Sequence, residues 1–230
     1  YNVGFTGKGW SPGRLQPGGR TRNPAGKEFN RRRLQPEFRS MANKDYAGNF
    51  DDFLAQVPAD APFCFWLGTH EPHRGYDQGA GRRTGKDPAR VTVPPIFPDH
   101  ERVRNDMLDY FVEIEHFDKV VARAIRSLEK AGQLEHTIVV VTSDHGMPFP
   151  RAKASLYDAG THVPLAIRWP AGITAPGRVY GGLVNLSALA PTFLDVAGVE
   201  IPEMMTAGSL VDVFANQSTV KRRRAYIAME

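Results

Sequence analysis

Two clusters of polar side chains in this 230-residue chain each follow directly on a short apolar run, and both combine groups that hold ions or move protons. The first is Asp144 and His145, which come straight after the apolar run 137–142 and precede Gly146, Arg151 and Lys153. A carboxylate and an imidazole at that place can hold a metal, and a lysine projecting nearby can hold an anion. The second cluster is HEPHR at residues 70–74, following the apolar run 63–67 and bringing His70, His73 and Arg74. An imidazole suits proton transfer to a leaving group because its ordinary pKa lies near neutrality.

Strands must deliver both clusters. In open α/β sheets chemistry gathers beyond the carboxyl ends of parallel strands, so runs 63–67 and 137–142 are expected to carry their ligands to one rim. A third strand is expected over 163–169, just after Lys153. Between the first two lies a helix, expected over residues 98–130 from one apolar stripe, Met107, Tyr110, Phe111, Ile114, Phe117, Val121, Ile125 and Leu128, with Asp99 capping its start and Gly132 its end. It is expected to serve as the crossover between the two strands, with His116 and Asp118 on its polar face. Further helices are expected over 43–57, from Tyr46, Phe50, Phe53 and Leu54, and over 187–197, with Pro191 in the first turn. Residues 1–40 and 74–98, rich in Gly, Pro and Arg, read as surface loops bordering the site.

Taken in order, Gly7-Lys8, His70-Glu71-Pro72-His73, Ser143-Asp144-His145-Gly146, and Lys153 with Tyr157, Gly160 and Pro164 resemble the motifs of the sulfatases of the alkaline-phosphatase superfamily. The strings THEPHRGY, SDHGMPFPRAK and LYDAGTHVPL are most similar to the sulfamidase-like branch, and the resemblance spans roughly residues 1–200. It implies an alkaline-phosphatase-like three-layer α/β/α sandwich with a mostly parallel central sheet, here truncated. Residues 1–215 would be part of the catalytic domain, with 216–230 opening a C-terminal subdomain. It also implies hydrolysis of a sulfate ester or N-sulfate, with a sulfated sugar as substrate. Lys8, His70 and Lys153 would be catalytic: Lys8 near the nucleophile and metal, Lys153 on the sulfate, and His70 on the sulfate or protonating the leaving group. Asp144 and His145 would bind a divalent metal, in the family usually calcium, and His73, Arg74 and Arg151 would contact the substrate. Calcium prefers oxygen, so a histidine where the family commonly has asparagine points to a softer metal or to a hydrogen-bond donor. Where the family often has GKxH, this chain has Trp10, for which packing is the simpler role.

The family's nucleophile is a formylglycine made from the cysteine of a CxPSR motif. Cys64, the one cysteine here, sits instead in PFCFWLG and reads as a core residue. The nucleophile and an aspartate pair of the metal site are therefore expected ahead of Tyr1, and the 230 residues alone are expected to hydrolyse sulfate esters poorly. Two alternatives stay open: a phosphate or phosphonate ester hydrolase of the same superfamily, and a non-catalytic anion-binding fragment.

Composition narrows the partners. The formal net charge is +4, and seven arginines, Arg14, Arg20, Arg22, Arg31, Arg32, Arg33 and Arg39, lie in the first 40 residues against Glu28 and Glu37. They form either a solvated loop or a basic rim for a polyanionic substrate. Aromatics are not interleaved with these charges and no nucleic-acid module is recognisable, so nucleic acid is not the expected partner. No stretch has the roughly 18 consecutive apolar residues of a membrane span. A single cysteine excludes an internal disulfide framework and leaves the compartment open.

Overall fold

The computed structural model describes residues 1–9, 14–217 and 225. Trp10 and most of the expected C-terminal subdomain, 216–230, lie outside the described residues. The chain forms two compact units, Tyr1–Leu134 and Glu135–Glu230.

The first unit is built on a parallel sheet in the order β2-β1-β3, from β1 (Asn2–Gly7), β2 (Lys27–Glu28) and β3 (Phe63–Gly68). Between β2 and β3 runs α1 (Tyr46–Leu54), shorter than the expected 43–57 because Asp45 caps it by accepting from the Gly48 amide at 3.0 Å. Arg123 holds that cap at 2.8 Å. One sheet face carries Phe63 and Phe65, which meet Phe50 and Phe53 of α1 and Phe29; the Phe53–Phe65 and Phe50–Phe65 ring centroids are 4.7 and 4.8 Å apart. The close approach needs Gly4, since a Cβ there would lie 2.8 Å from the Phe53 ring.

Cys64 points to the opposite face and is exposed, as is Trp66 at 59%. The core reading of Cys64 is thus corrected: a strand alternates its side chains, and in FCFWLG the core took the phenylalanines.

After the short α2 (Ala80–Arg83) comes the 30-residue α3 (Glu101–Lys130). Its cap is His100, whose Nδ1 accepts from the Arg102 amide at 3.1 Å, and not Asp99, which is drawn into an ion pair with Arg104 at 2.5 Å. Gly132 turns the chain beyond its end with φ 67°. The buried face of α3 is Met107, Leu108, Asp109, Val112, Glu113, Val120 and Leu128. Phe111 and Ile114 of the expected stripe are exposed instead, because α1 and α2 pack against a face rotated toward Asp109 and Glu113. The Asp109 carboxylate accepts from the Gly79 and Gly81 amides at 2.9 and 2.8 Å, fastening the start of α2 to α3.

The second unit opens on β4 (Val139–Thr142), passes through the single turn α4 (Asp158–Thr161), and returns on β5 (Leu165–Arg168). Among the described residues β4 pairs with β5 alone, and antiparallel, with Thr142 opposite Leu165. Parallel pairing of consecutive strands needs a crossover element, and residues 143–164 hold only one helical turn. Further on, α5 (Leu189–Val196) and α6 (Val211–Phe214) enclose a small core of Ala188, Leu210, Val213 and Phe214. Pro191 falls near the start of α5, as expected. No described helix is long and apolar enough to cross a membrane.

Candidate functional site

In the first unit, β1 and β3 end side by side, Gly7 opposite Gly68, and the next residues are Lys8 and Thr69-His70. Gly7 has φ 76°, and a Cβ on it would lie 1.9 Å from the Gly68 carbonyl oxygen, so only glycine lets the strand ends approach. Asn30 clamps the end of β1, its Oδ1 accepting from the Gly7 amide at 2.8 Å and from Thr6 Oγ1 at 3.1 Å. The Lys8 amide donates to the Gly68 carbonyl at 2.6 Å. Lys8 and His70 therefore stand on adjacent carboxyl ends of a parallel sheet.

The HEPH turn is tied down on every side. The His70 amide donates to the Tyr46 hydroxyl at 3.0 Å, Thr69 Oγ1 donates to the Glu71 carbonyl at 2.8 Å, and the His73 amide donates to the His70 carbonyl at 2.9 Å. Glu71 Oε1 accepts from the Ala42 amide at 2.7 Å. Partial burial, and then the Lys8 ammonium, push the His70 imidazole below its ordinary value, so near neutral pH the ring is uncharged. Burial and the Glu71 carboxylate push the Tyr46 hydroxyl up, keeping it protonated.

His73 is engaged by its own loop, and Arg74 by α3 and Tyr76. His73 Nδ1 faces the Arg74 carbonyl at 2.9 Å, and Arg74 pairs with Asp106 at 2.6 Å while lying 5.0 Å over the Tyr76 ring.

In the second unit, the ligand-type residues follow β4. His145 Nδ1 lies 2.8 Å from the Gly146 carbonyl, which fixes it as the N–H donor and leaves the Nε2 lone pair facing Asp144 Oδ1 at 3.6 Å. A metal-binding histidine commonly has this arrangement, one ring nitrogen anchored to a carbonyl and the other presented. Asp144 is exposed and His145 half-buried, so both are open to a solute ion. Among the described residues, no group of three or more His, Cys, Asp or Glu side chains is gathered for a metal, so these two are a partial set. Gly146 holds the loop: its amide donates to the Gly160 carbonyl at 2.9 Å, and a Cβ would meet the Ala159 carbonyl oxygen at 1.9 Å. Lys153 is half-buried with its amide on the Met147 carbonyl at 3.0 Å, between Arg151 and Ala154, which adopt φ of 60° and 58°. Positive φ at two non-glycine residues flanking one lysine is backbone strain of the sort that collects at functional sites.

Glu71 and Glu113 escaped the sequence reading. Both are buried, at 4% and 2% exposure, and both line a pocket with His70 and His73. Glu71 lay inside a motif read for its histidines, and Glu113 drew no reading. Its spacing four residues after Asp109 was the available signal.

The Sulfatase family model matches residues 14–199. The chain is 31% identical over 175 residues to N-sulphoglucosamine sulphohydrolase of Homo sapiens, covering 67% of this chain and 35% of that protein. It is 30% identical over 159 residues to the ulvan-active sulfatase of Formosa agariphila, covering 69% of this chain and 26% of that protein. Among solved structures it resembles a phosphonate monoester hydrolase from Silicibacter pomeroyi, with TM-score 0.64, 25% identity, and coverage of 85% of this chain and 47% of the other. The chain thus spans between about a quarter and a half of the length of these three proteins, and has an α/β fold of the alkaline-phosphatase type.

Proposed function

Because the chain belongs to the sulfatase family, we propose that the protein is a metal-dependent sulfuric ester hydrolase acting on a sulfated sugar, as an O-sulfate or N-sulfate. The observation that carries the reading is the placement of Lys8 and His70 on adjacent parallel strand ends with the His70 ring held neutral. Cleavage of a sulfate ester gathers negative charge on the sulfuryl oxygens and on the leaving oxygen. In the first unit Lys8 is the cation available to offset the first, and in the second unit Lys153 is, with Arg151 a further contact for substrate anions. An anion beside His70 raises its pKa, so the ring takes up a proton when sulfate binds and can pass it to the leaving oxygen or nitrogen. His73, fixed by its own loop, and Arg74, held by Asp106 of α3, shape the approach of the sugar.

Asp144 and His145 would hold the divalent metal, which when bound polarises a sulfuryl oxygen. The converging oxygen and nitrogen lone pairs fit such an ion, and the nitrogen favours manganese or zinc more than calcium. Cys64 lies in a sheet strand without the surrounding CxPSR residues, so none of the described residues is assigned the nucleophile.

The likeness in fold to a phosphonate monoester hydrolase supports a second reading, hydrolysis of phosphate or phosphonate esters. Turnover of an aryl sulfate, an aryl phosphate and an aryl phosphonate by the natural protein, side by side, separates the two. Preference for sulfate, falling about a hundredfold in Lys153→Ala, is the expected result. Preference for the phosphonate would overturn it.

A further inference from the structure

The HEPH turn, the loop before α1 and the middle of α3 enclose a pocket of about 330 Å³, lined by Ser40, His70, Glu71, His73, Arg74 and Glu113. Its floor carries two carboxyl groups that are more than nine-tenths buried, and each has one oxygen without a hydrogen-bond partner: Glu71 Oε2 and Glu113 Oε1. The remaining capacity of both groups is partly used: Glu71 Oε1 accepts from the Ala42 amide, the Tyr46 hydroxyl also bonds the Glu71 carboxylate, and Ser40 bonds the Glu113 carboxyl. A buried acceptor left unpaired is costly, and two in one pocket leave room for a single donor-rich guest.

The charges decide which guest. The two carboxyls lie close enough for the Glu71 charge to raise Glu113, after burial has done so. Of the cationic groups lining it, Arg74 is neutralised by Asp106 and His70 is held uncharged; Lys8 and Lys44 act on His70, and Lys44 also on Glu71, from outside the lining, so within the pocket the two carboxyls face no charged partner of their own. A metal would need further ligands of the right type, and no such group of three is gathered among the described residues. A primary ammonium supplies three donors and the missing charge. The volume is at the lower end of small-molecule pockets and suits one sugar ring.

We propose that this pocket receives the free amino group of an amino sugar, with Glu71 Oε2 and Glu113 Oε1 as its two acceptors. The proposal rests on the sulfated-sugar reading for the choice of a sugar, and on the orphaned oxygens for the ammonium. His70 lines the same pocket, so an amine bound there belongs to a substrate whose sulfate lies toward His70.

Binding to the chain by calorimetry tests this with glucosamine, N-acetylglucosamine and n-butylammonium, none of which carries sulfate, so that failure of the hydrolase reading cannot be mistaken for failure of this one. Glucosamine should bind about tenfold or more tightly than N-acetylglucosamine, the scale of one charge-assisted hydrogen bond, and Glu113→Gln should abolish that preference. Glu71→Gln, which keeps an acceptor for the Ala42 amide, should do the same if Glu113→Gln folds poorly. Equal affinity for the two sugars, or a preference that survives in both folded variants, would overturn the proposal. Butylammonium binding as tightly as glucosamine would overturn the assignment to an amino sugar.

Discussion

Glu113→Met should stabilise the protein, and by more at alkaline than at acid pH. Glu113 is 2% exposed, its Oε1 has no partner, and burial raises its pKa above the ordinary carboxyl value of 4.5. A buried unsatisfied polar atom costs about 1–3 kcal/mol, and losing the Ser40 hydrogen bond costs about 1 kcal/mol in return. Methionine fills similar volume without a polar atom, so the net gain is up to about 2 kcal/mol, or a rise of up to about 8 °C in Tm for a chain of this size. The pH dependence follows from the raised pKa. Between 4.5 and the folded value the native state binds more protons than the unfolded one, so the wild type loses stability as pH rises through that window. The variant has no such group. Thermal melts of both proteins near pH 5 and pH 8 should therefore diverge, with the larger gain at the higher pH. A variant less stable by several degrees at both pH values would show that the Glu113 carboxyl is fully paired, and would remove the ground for an open acceptor in the pocket.

Three further outcomes are expected. Gly146→Ala forces a Cβ onto the Ala159 carbonyl oxygen at 1.9 Å, so it should cost about 1–3 kcal/mol in a thermal melt and weaken metal binding; an unchanged melt would show that the loop after β4 yields freely. Asp109→Ala strips the acceptor from the Gly79 and Gly81 amides, and should cost at least about 2 kcal/mol in urea unfolding, with Asp109→Asn costing less. Inorganic sulfate should bind with proton uptake at mildly acidic pH, because His70 is less protonated there than an ordinary histidine, and a neighbouring anion draws the proton on. Calorimetry in two buffers of different ionisation enthalpy reads the uptake, and His70→Gln should abolish it. By the same linkage, the stability contributed by the depressed His70 is full above 6.5 and falls away as pH drops below it.

Much of the site was legible in the sequence for a local reason. A strand followed at once by ligand-type residues can only place them at its end, so His70, Asp144 and His145 could be located without coordinates, whereas Lys8 could not, because residues 1–40 read as a surface loop and β1 and β2 run through them. The helix of α3 was equally plain from its length and from Gly132, because periodicity and a left-handed terminus are properties of the chain itself. Which face of that helix is buried was not. Phe111 and Ile114 are as apolar as Leu108 and Val112, and only the packing of α1 and α2 chose between them. That choice buried Asp109 and Glu113, turning one carboxylate into the clamp on α2 and leaving the other with an open oxygen. The partner of β4 was likewise undecided by composition, since a β-rich run pairs with whatever the connection returns to it, and a 22-residue loop with one helical turn returned β5 antiparallel. Cys64 shows the same limit in a strand, where alternation fixed that Cys64 and Phe65 point to opposite faces, but only the aromatic cluster on α1 decided which face became the core.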